Sequence, residues 1–260
     1  MVAKAIKRIY IFLILVFLHA PIFMLIVFSF NNSKSRAKWD GFTFRWYLEL
    51  FTDQAILRSL YITVVLAVIS SIIATIFGTI ASIGIYKMKS ISQTIITSIT
   101  YIPILNPDIV TGISLMLMFI FIKFPLGFFS LLISHVTFSL PFVIISVLPK
   151  LKSLNPQLLD AALDLGASPT YAYRHVIIPN ISEGIITGFL LAFTMSIDDF
   201  VISFFNTGAG ISNLAITIYS MARRGINPKI NALLTIVFTT VLVLTLVVNK
   251  RMDGKMGDGK

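Results

Sequence analysis

Six long apolar runs dominate this chain, at about 9–30, 60–86, 95–122, 126–148, 181–205 and 230–249. Each is long enough to supply the roughly 20 helical residues that cross a bilayer. Inside lipid no water satisfies the backbone, so a spanning segment is either a helix or a strand of a closed barrel. The runs lack the apolar–polar alternation of barrel strands. The expected fold is therefore all-α: an integral membrane protein with six transmembrane helices and a polar loop between spans four and five. Composition agrees, with 57% hydrophobic and 12% charged residues, where soluble domains carry about 25% charged.

Lys4, Lys7 and Arg8 precede the first run in the manner of a signal peptide. That run is longer than a signal peptide's apolar region and no small-residue cleavage site follows it, so a retained first span is expected. Placing the N-terminus in the cytoplasm puts 12 of the 21 basic residues inside, and 12 against 4 once the long loop after span one is set aside. This is the bias of the positive-inside rule, with both termini and the 149–180 loop cytoplasmic. The net charge of +10 is ordinary for such a protein and gives no case for nucleic acid. Segment 31–59 lies outside. Its "FTFRWYLELF" suits equally a short helix in the interface and an ordinary loop. The tail 250–260, polar and Gly-rich, is expected to be a disordered cytoplasmic extension. No internal repeat is visible, so the inverted-repeat plan of many secondary transporters gains no support.

The stretch "LLDAALDLGASPTYAYRHVIIP", residues 158–179, interrupts the membrane pattern. It predicts a short helix with Pro156 in its first turn and Gly166 at its end, then a second helix with Ser168 as N-cap and Pro169 at its first position. Pro179 separates this piece from span five. Leu158, Ala161, Ala162 and Leu165 fall at i, i+3, i+4 and i+7 and form one apolar stripe. The stripe suits docking onto another protein, or resting on the inner ends of the chain's own spans.

This loop resembles the cytoplasmic EAA loop of permease subunits of ABC importers: E-A-A, three residues, G, nine residues, I-x-L-P. Here stand Asp160-Ala161-Ala162, three residues, Gly166, nine residues, then Val176-Ile177-Ile178-Pro179. The departures are Asp for Glu, Val for Ile and Ile for Leu. Further pieces are similar to the second permease subunit of spermidine/putrescine importers, over residues from about 60 to 248. They are "NPDIVTGISL" from Asn106, "SHVTFSLPFVIISVLPKLKS" from Ser134, "FTMSIDDFVISFFNTG" from Phe193 and "IYSMARRGINPKINALLTI" from Ile218.

The resemblance implies residence in the bacterial cytoplasmic (inner) membrane. It implies a transmembrane domain over 60–249, preceded by an N-terminal span and outer segment at 1–59. In that family the loop at 149–180 is a coupling helix seated in an ATPase subunit, which gives Asp160, Ala161, Ala162, Gly166 and Pro179 an ATPase-coupling role. The partners implied are a homologous permease, two ATPase subunits and an extracytoplasmic polyamine-binding protein, in membrane lipid.

The acids make a case of their own. Of 11 acidic residues, Asp108, Glu183, Asp198 and Asp199 fall in or at the edge of spans. An Asp near a span's centre costs about 2.5–3.5 kcal/mol on insertion scales, so it usually faces a polar cavity or a partner. Counting from the starts of spans three and five at the helical rise, Asp108 lies about 20 Å and Asp198 about 26 Å from the inner surface. Both then sit in the outer half, where an importer receives its cargo. Separated anions with aromatic surface suit a linear polycation, and Asp108, Asp198 and Asp199 are the expected pathway residues. For Asp108 the rival reading is structural: Asn106-Pro107 breaks span three and the carboxylate bonds freed backbone. Glu183, in the first turn of span five, complements the helix dipole.

His19 and His135 read as lone residues bonded to neighbouring helices, and no metal-ligand spacing is present. No P-loop, cysteine chemistry or plausible Ser/His/Asp set is seen, so neither an enzyme nor a cofactor is expected. The alternatives are the same machine with another cargo, such as ferric iron, and a self-sufficient secondary cation transporter or channel using the same acids.

Overall fold

The structure is a computed structural model that describes residues 2–33, 38–224 and 228–257. Among the described residues every regular element is helical, apart from one isolated antiparallel bridge between Asn31 and Phe42. The long helices are α1 (Val2–Ser29), α3 (Gln54–Tyr86), α6 (Phe128–Ser153) and α13 (Pro228–Gly257). Shorter ones are α2 (Arg45–Thr52), α4 (Ser90–Leu105), α5 (Asp108–Phe121) and α7 (Gln157–Asp164). After them come α8 (Pro169–Ala172), a π-helical turn at Tyr173–Ile177, α9 (Ile178–Asn180), α10 (Ser182–Asp198), α11 (Val201–Asn206) and α12 (Leu214–Arg223).

Among the described residues three helices are long and apolar enough to cross a membrane: Ile6–Ser29 of α1, α3 and α6. Two bent pairs bring the number to five, α4 with α5 at 102° and Pro169–Asn180 with α10 at 71°. The apolar run 230–249 lies within α13, whose helix continues to Gly257, past the start of the tail expected to be disordered.

Two of the expected spans are not continuous helices. The run 95–122 breaks at Asn106-Pro107. Pro107 has no N–H to continue α4 and drives the residue before it out of the helical region, and Asn106 sits at φ −74°, ψ 141°. The run 181–205 breaks at Asp199, which takes φ −63°, ψ 121°. No Pro or Gly stands there. The break is held instead by the Asp199 carboxylate, which satisfies free N–H groups of α11 as a capping acid does.

The chain forms two compact units, residues 1–58 with 217–260, and residues 59–216. In the first, α13 packs on α1 and α2. Segment 31–59 is helical at α2, with Trp46 and Leu50 buried. The Trp46 indole donates to the Asn31 carbonyl at 2.7 Å. Lys229 of α13 lies 3.3 Å from Glu49 and 3.5 Å from Asp53.

In the second unit α6 is the central helix and α10 its main neighbour. Small residues let the two backbones approach, as between membrane helices generally. A Cβ on Gly188 would meet the Val143 Cα at 3.1 Å, and one on Gly184 the Ser146 carbonyl oxygen at 2.9 Å. Across the same contact, a Cβ on Gly78 of α3 would meet Val143 Cγ1 at 2.6 Å. Around it Ala74, Val147, Leu151, Ile177, Ile181 and Ala192 complete a buried core. Gly188→Leu is expected to cost about 1–3 kcal/mol or more by overpacking, because backbone rather than a flexible side chain must move. Thermal unfolding of the detergent-solubilised protein measures it, and an unchanged midpoint would contradict the packing.

Candidate functional site

Two constellations carry chemistry, the loop between α6 and α10 and the acids at the helix breaks. In the loop, α7 ends on Gly166 at φ +86°. Ala167 N–H returns to the Ala162 carbonyl at 3.1 Å and Gly166 N–H to that of Leu163 at 2.9 Å, a Schellman ending. A Cβ on Gly166 would meet nothing within 4 Å, so the glycine is required for its backbone angle and not for space. Ser168 caps the next helix by accepting the Tyr171 N–H at 3.3 Å, with Pro169 at the first position. The π turn at Tyr173–Ile177 widens the helix just before Pro179, and the bend into α10 follows at Ile181.

The loop's apolar residues divide. Leu158 and Leu159 turn inward onto the core around Leu151 and Ile177, and the Lys87 ammonium lies 4.7 Å from the Tyr173 ring centroid. Leu165 is 90% exposed, and Asp160, Ala161, Gly166 and Pro179 are exposed with it. A shallow groove of about 500 Å³ runs between Ala162, Leu165, Gly166, Tyr171 and Val176. The single stripe expected from the i, i+3, i+4, i+7 spacing is therefore split. Leu158 anchors the loop to its own spans, and Leu165 is presented outward because the Gly166 turn carries the chain away.

Asp108 lies 90 residues before the Asp198-Asp199 pair in sequence but within electrostatic reach of Asp198 in the fold. The tip of α11 packs on α5, where the Asn206 amide donates to the Gly112 carbonyl at 3.1 Å. Asp198 thereby feels the like charges of both Asp199 and Asp108. Their surroundings differ. Asp108 is the first residue of α5 and exposed, so the positive end of that helix offsets its charge. Asp199 is turned inward, its side chain 7% exposed, and accepts the N–H of Ile202 at 3.1 Å and of Ser203 at 2.7 Å. Asp198 ends α10, where the negative end of the helix adds to its carboxylate, and it is exposed. Of the three, Asp198 is the exposed carboxylate whose charge no helix end offsets.

Behind the break lies a buried cluster that sequence reasoning missed. His135 of α6 is 1% exposed. Its Nδ1 is 2.6 Å from Ser196 Oγ and its Nε2 is 3.0 Å from Ser203 Oγ and 3.5 Å from Asp199 Oδ2. Ser70 Oγ lies 3.1 Å from Ser196 Oγ, and Asn213 donates to Ser203 Oγ at 2.8 Å and the Asp199 carbonyl at 3.2 Å. A serine, a histidine and an aspartate do meet here. They are buried, and the carboxylate is occupied by backbone N–H groups, an arrangement that holds helix ends together. His135 bonds to neighbouring helices as expected, whereas His19 bonds to the Leu15 carbonyl of its own helix at 2.8 Å. Glu183, in the first turn of α10, also pairs with Lys150 at 2.6 Å.

The family model described as the binding-protein-dependent transport system inner membrane component matches residues 74–256 of this chain. The spermidine/putrescine transport system permease protein PotC of Escherichia coli (strain K12) is 37% identical over 248 residues, 94% of each chain. The putrescine transport system permease protein PotI of the same strain is 35% identical over 242 residues, 89% of this chain and 85% of the other. Among solved structures, a bacterial ABC transporter involved in the import of the acidic polysaccharide alginate matches with a TM-score of 0.72 at 17% identity, covering 98% of this chain and 95% of the other. At that identity the likeness is one of fold.

Proposed function

The chain belongs to the binding-protein-dependent transport system inner membrane component family, and we propose that its cargo is a polyamine of the spermidine/putrescine class. It is a multi-pass inner-membrane permease and not an enzyme; hydrolysis of ATP belongs to a partner, and an extracytoplasmic binding protein delivers the cargo. We assign it one homologous permease, two ATPase subunits and cytoplasmic termini. The observation that carries the cargo reading is the placing of two exposed acids, Asp108 and Asp198, at two helix breaks within electrostatic reach of each other, in a chain over a third identical to polyamine permeases along nearly its whole length. Exposed anions at separate points suit a linear cation bearing separated ammonium groups. They attract it without the fully formed cage that would hinder release.

In this mechanism ATP binding closes the ATPase pair and pulls on the exposed face around Asp160, Ala161, Ala162 and Gly166. Leu158 and Leu159 pass the motion to α6, and the turn before Pro179 passes it to α10, which carries Asp198 at its far end. The pathway residues are Asp108 and Asp198, with Asp199 supporting the break from inside. The test is uptake of labelled spermidine by cells with and without the gene, with ATP depleted while the membrane potential is held. Uptake that requires both gene and ATP supports the reading. Gene-dependent uptake that survives ATP loss would contradict the coupling, and a gene requirement only for another cargo, such as ferric iron, would overturn the polyamine assignment.

A further inference from the structure

We propose that His135 is a positioning residue for cargo: it clamps the two sides of the α10–α11 break and so fixes where the Asp198 carboxylate stands relative to Asp108. This rests on the reading of Asp198 as a cargo contact and adds to it a residue that never touches cargo. The break at Asp199 has no proline or glycine to define its geometry, so side chains must define it. One imidazole does so from α6. Its Nδ1 side engages Ser196, two residues before Asp198 at the end of α10, and its Nε2 side engages Ser203 on α11.

The Asp199 carboxylate 3.5 Å from Nε2 favours the tautomer with the proton on Nε2, leaving Nδ1 to accept the Ser196 hydroxyl. Ser70 and Asn213 close the network from α3 and from the segment before α12. His135, Ser196, Ser203 and Asn213 are all buried, so loss of one partner leaves its neighbours unsatisfied in a dry interior. α6 also packs along α10 and ends at the coupling loop. The clamp therefore ties the position of the outer carboxylate to the helix that the loop moves.

The experiment compares His135→Phe, His135→Asn, His135→Gln and Asp198→Asn in the complete transporter with its binding protein. The readout is the maximal uptake rate, per assembled complex, for a series of linear α,ω-diamines of increasing length. His135→Phe puts an apolar ring in place of the imidazole and removes both bonds. It should lower the rate about tenfold for the preferred diamine and less for the others, flattening the length preference, because a misplaced carboxylate no longer matches one amine spacing. His135→Asn, which places a polar atom near Nδ1, and His135→Gln, which places one near Nε2, should each restore part of the preference, and they carry the test if His135→Phe does not assemble.

Rates that fall by one common factor for every diamine, or do not fall at all, while Asp198→Asn still sharply lowers uptake, would overturn the positioning role and leave Asp198 standing. Full uptake in Asp198→Asn would instead remove the cargo reading on which the proposal rests.

Discussion

Asp198→Asn is expected to reduce polyamine uptake by about 10- to 100-fold, the loss of a charged hydrogen bond worth about 1.5–3 kcal/mol. Asp199→Asn, one residue on, is expected to reduce it far less. The sequence presents the two as equivalent, and the structure separates them. Asp198 ends α10 exposed, with the helix's negative end behind it. Asp199 spends its carboxylate on the N–H groups of Ile202 and Ser203. An Asn at that position keeps one acceptor oxygen for one of the two N–H groups and so retains part of the cap, whereas Ala loses both bonds, about 0.5–2 kcal/mol of helix-end stabilisation. Asp199→Ala should therefore lower the amount of folded protein. Uptake per assembled complex, measured beside the protein level in the membrane, distinguishes the two effects. Normal uptake in Asp198→Asn with a specific loss in Asp199→Asn would reverse the assignment.

Gly166→Glu is expected to abolish uptake by severing the permease from its ATPase. Gly166 holds φ +86° at the end of α7, a conformation that costs an L-residue about 1–2 kcal/mol. Its surroundings are open, since a Cβ there would meet no atom within 4 Å. A new side chain therefore projects from the presented face beside Leu165. Gly166→Asn is the control, because Asn tolerates the left-handed region and carries no charge. It should retain most of the activity. The measurements are co-purification of the ATPase with the permease and cargo-stimulated ATP hydrolysis. Full uptake by Gly166→Glu would remove the docking role from this loop. The same substitution leaves the acids at the α10–α11 break untouched, so the two predictions fail independently.

Helical membrane character was legible because it depends on local chemistry. A run such as 60–86 carries no charge and no barrel-type alternation, so its backbone is satisfied in lipid as a helix. The turn chemistry of the loop was legible for a similar reason. Gly166, Ser168 and Pro169 each act within a few residues of themselves, and each occupies the place its type predicts. The break at Asn106-Pro107 was visible in the proline. The break at Asp199 was not, since it has no proline or glycine and depends on a carboxylate finding the N–H groups of the next helix. The G-x-x-x-G of residues 184–188 stands in the sequence, but its meaning is the close approach of α6, which a single helix does not reveal.

Residue order was enough to establish that this chain crosses a membrane as helices, that a polar helix–turn–helix loop interrupts it, and that acids stand within its apolar runs. Those properties follow from burial, capping and charge, which act locally along the chain. Which acid is presented, and which is used to hold a helix end, emerged only from the packed helices. Packing also joined His135 to Ser196 and Ser203, 61 and 68 residues away, and turned Leu158 inward while presenting Leu165. A side chain's role is set by the hydrogen-bond partners and packed atoms it meets. For residues far apart in the chain, only the packing of the helices supplies them.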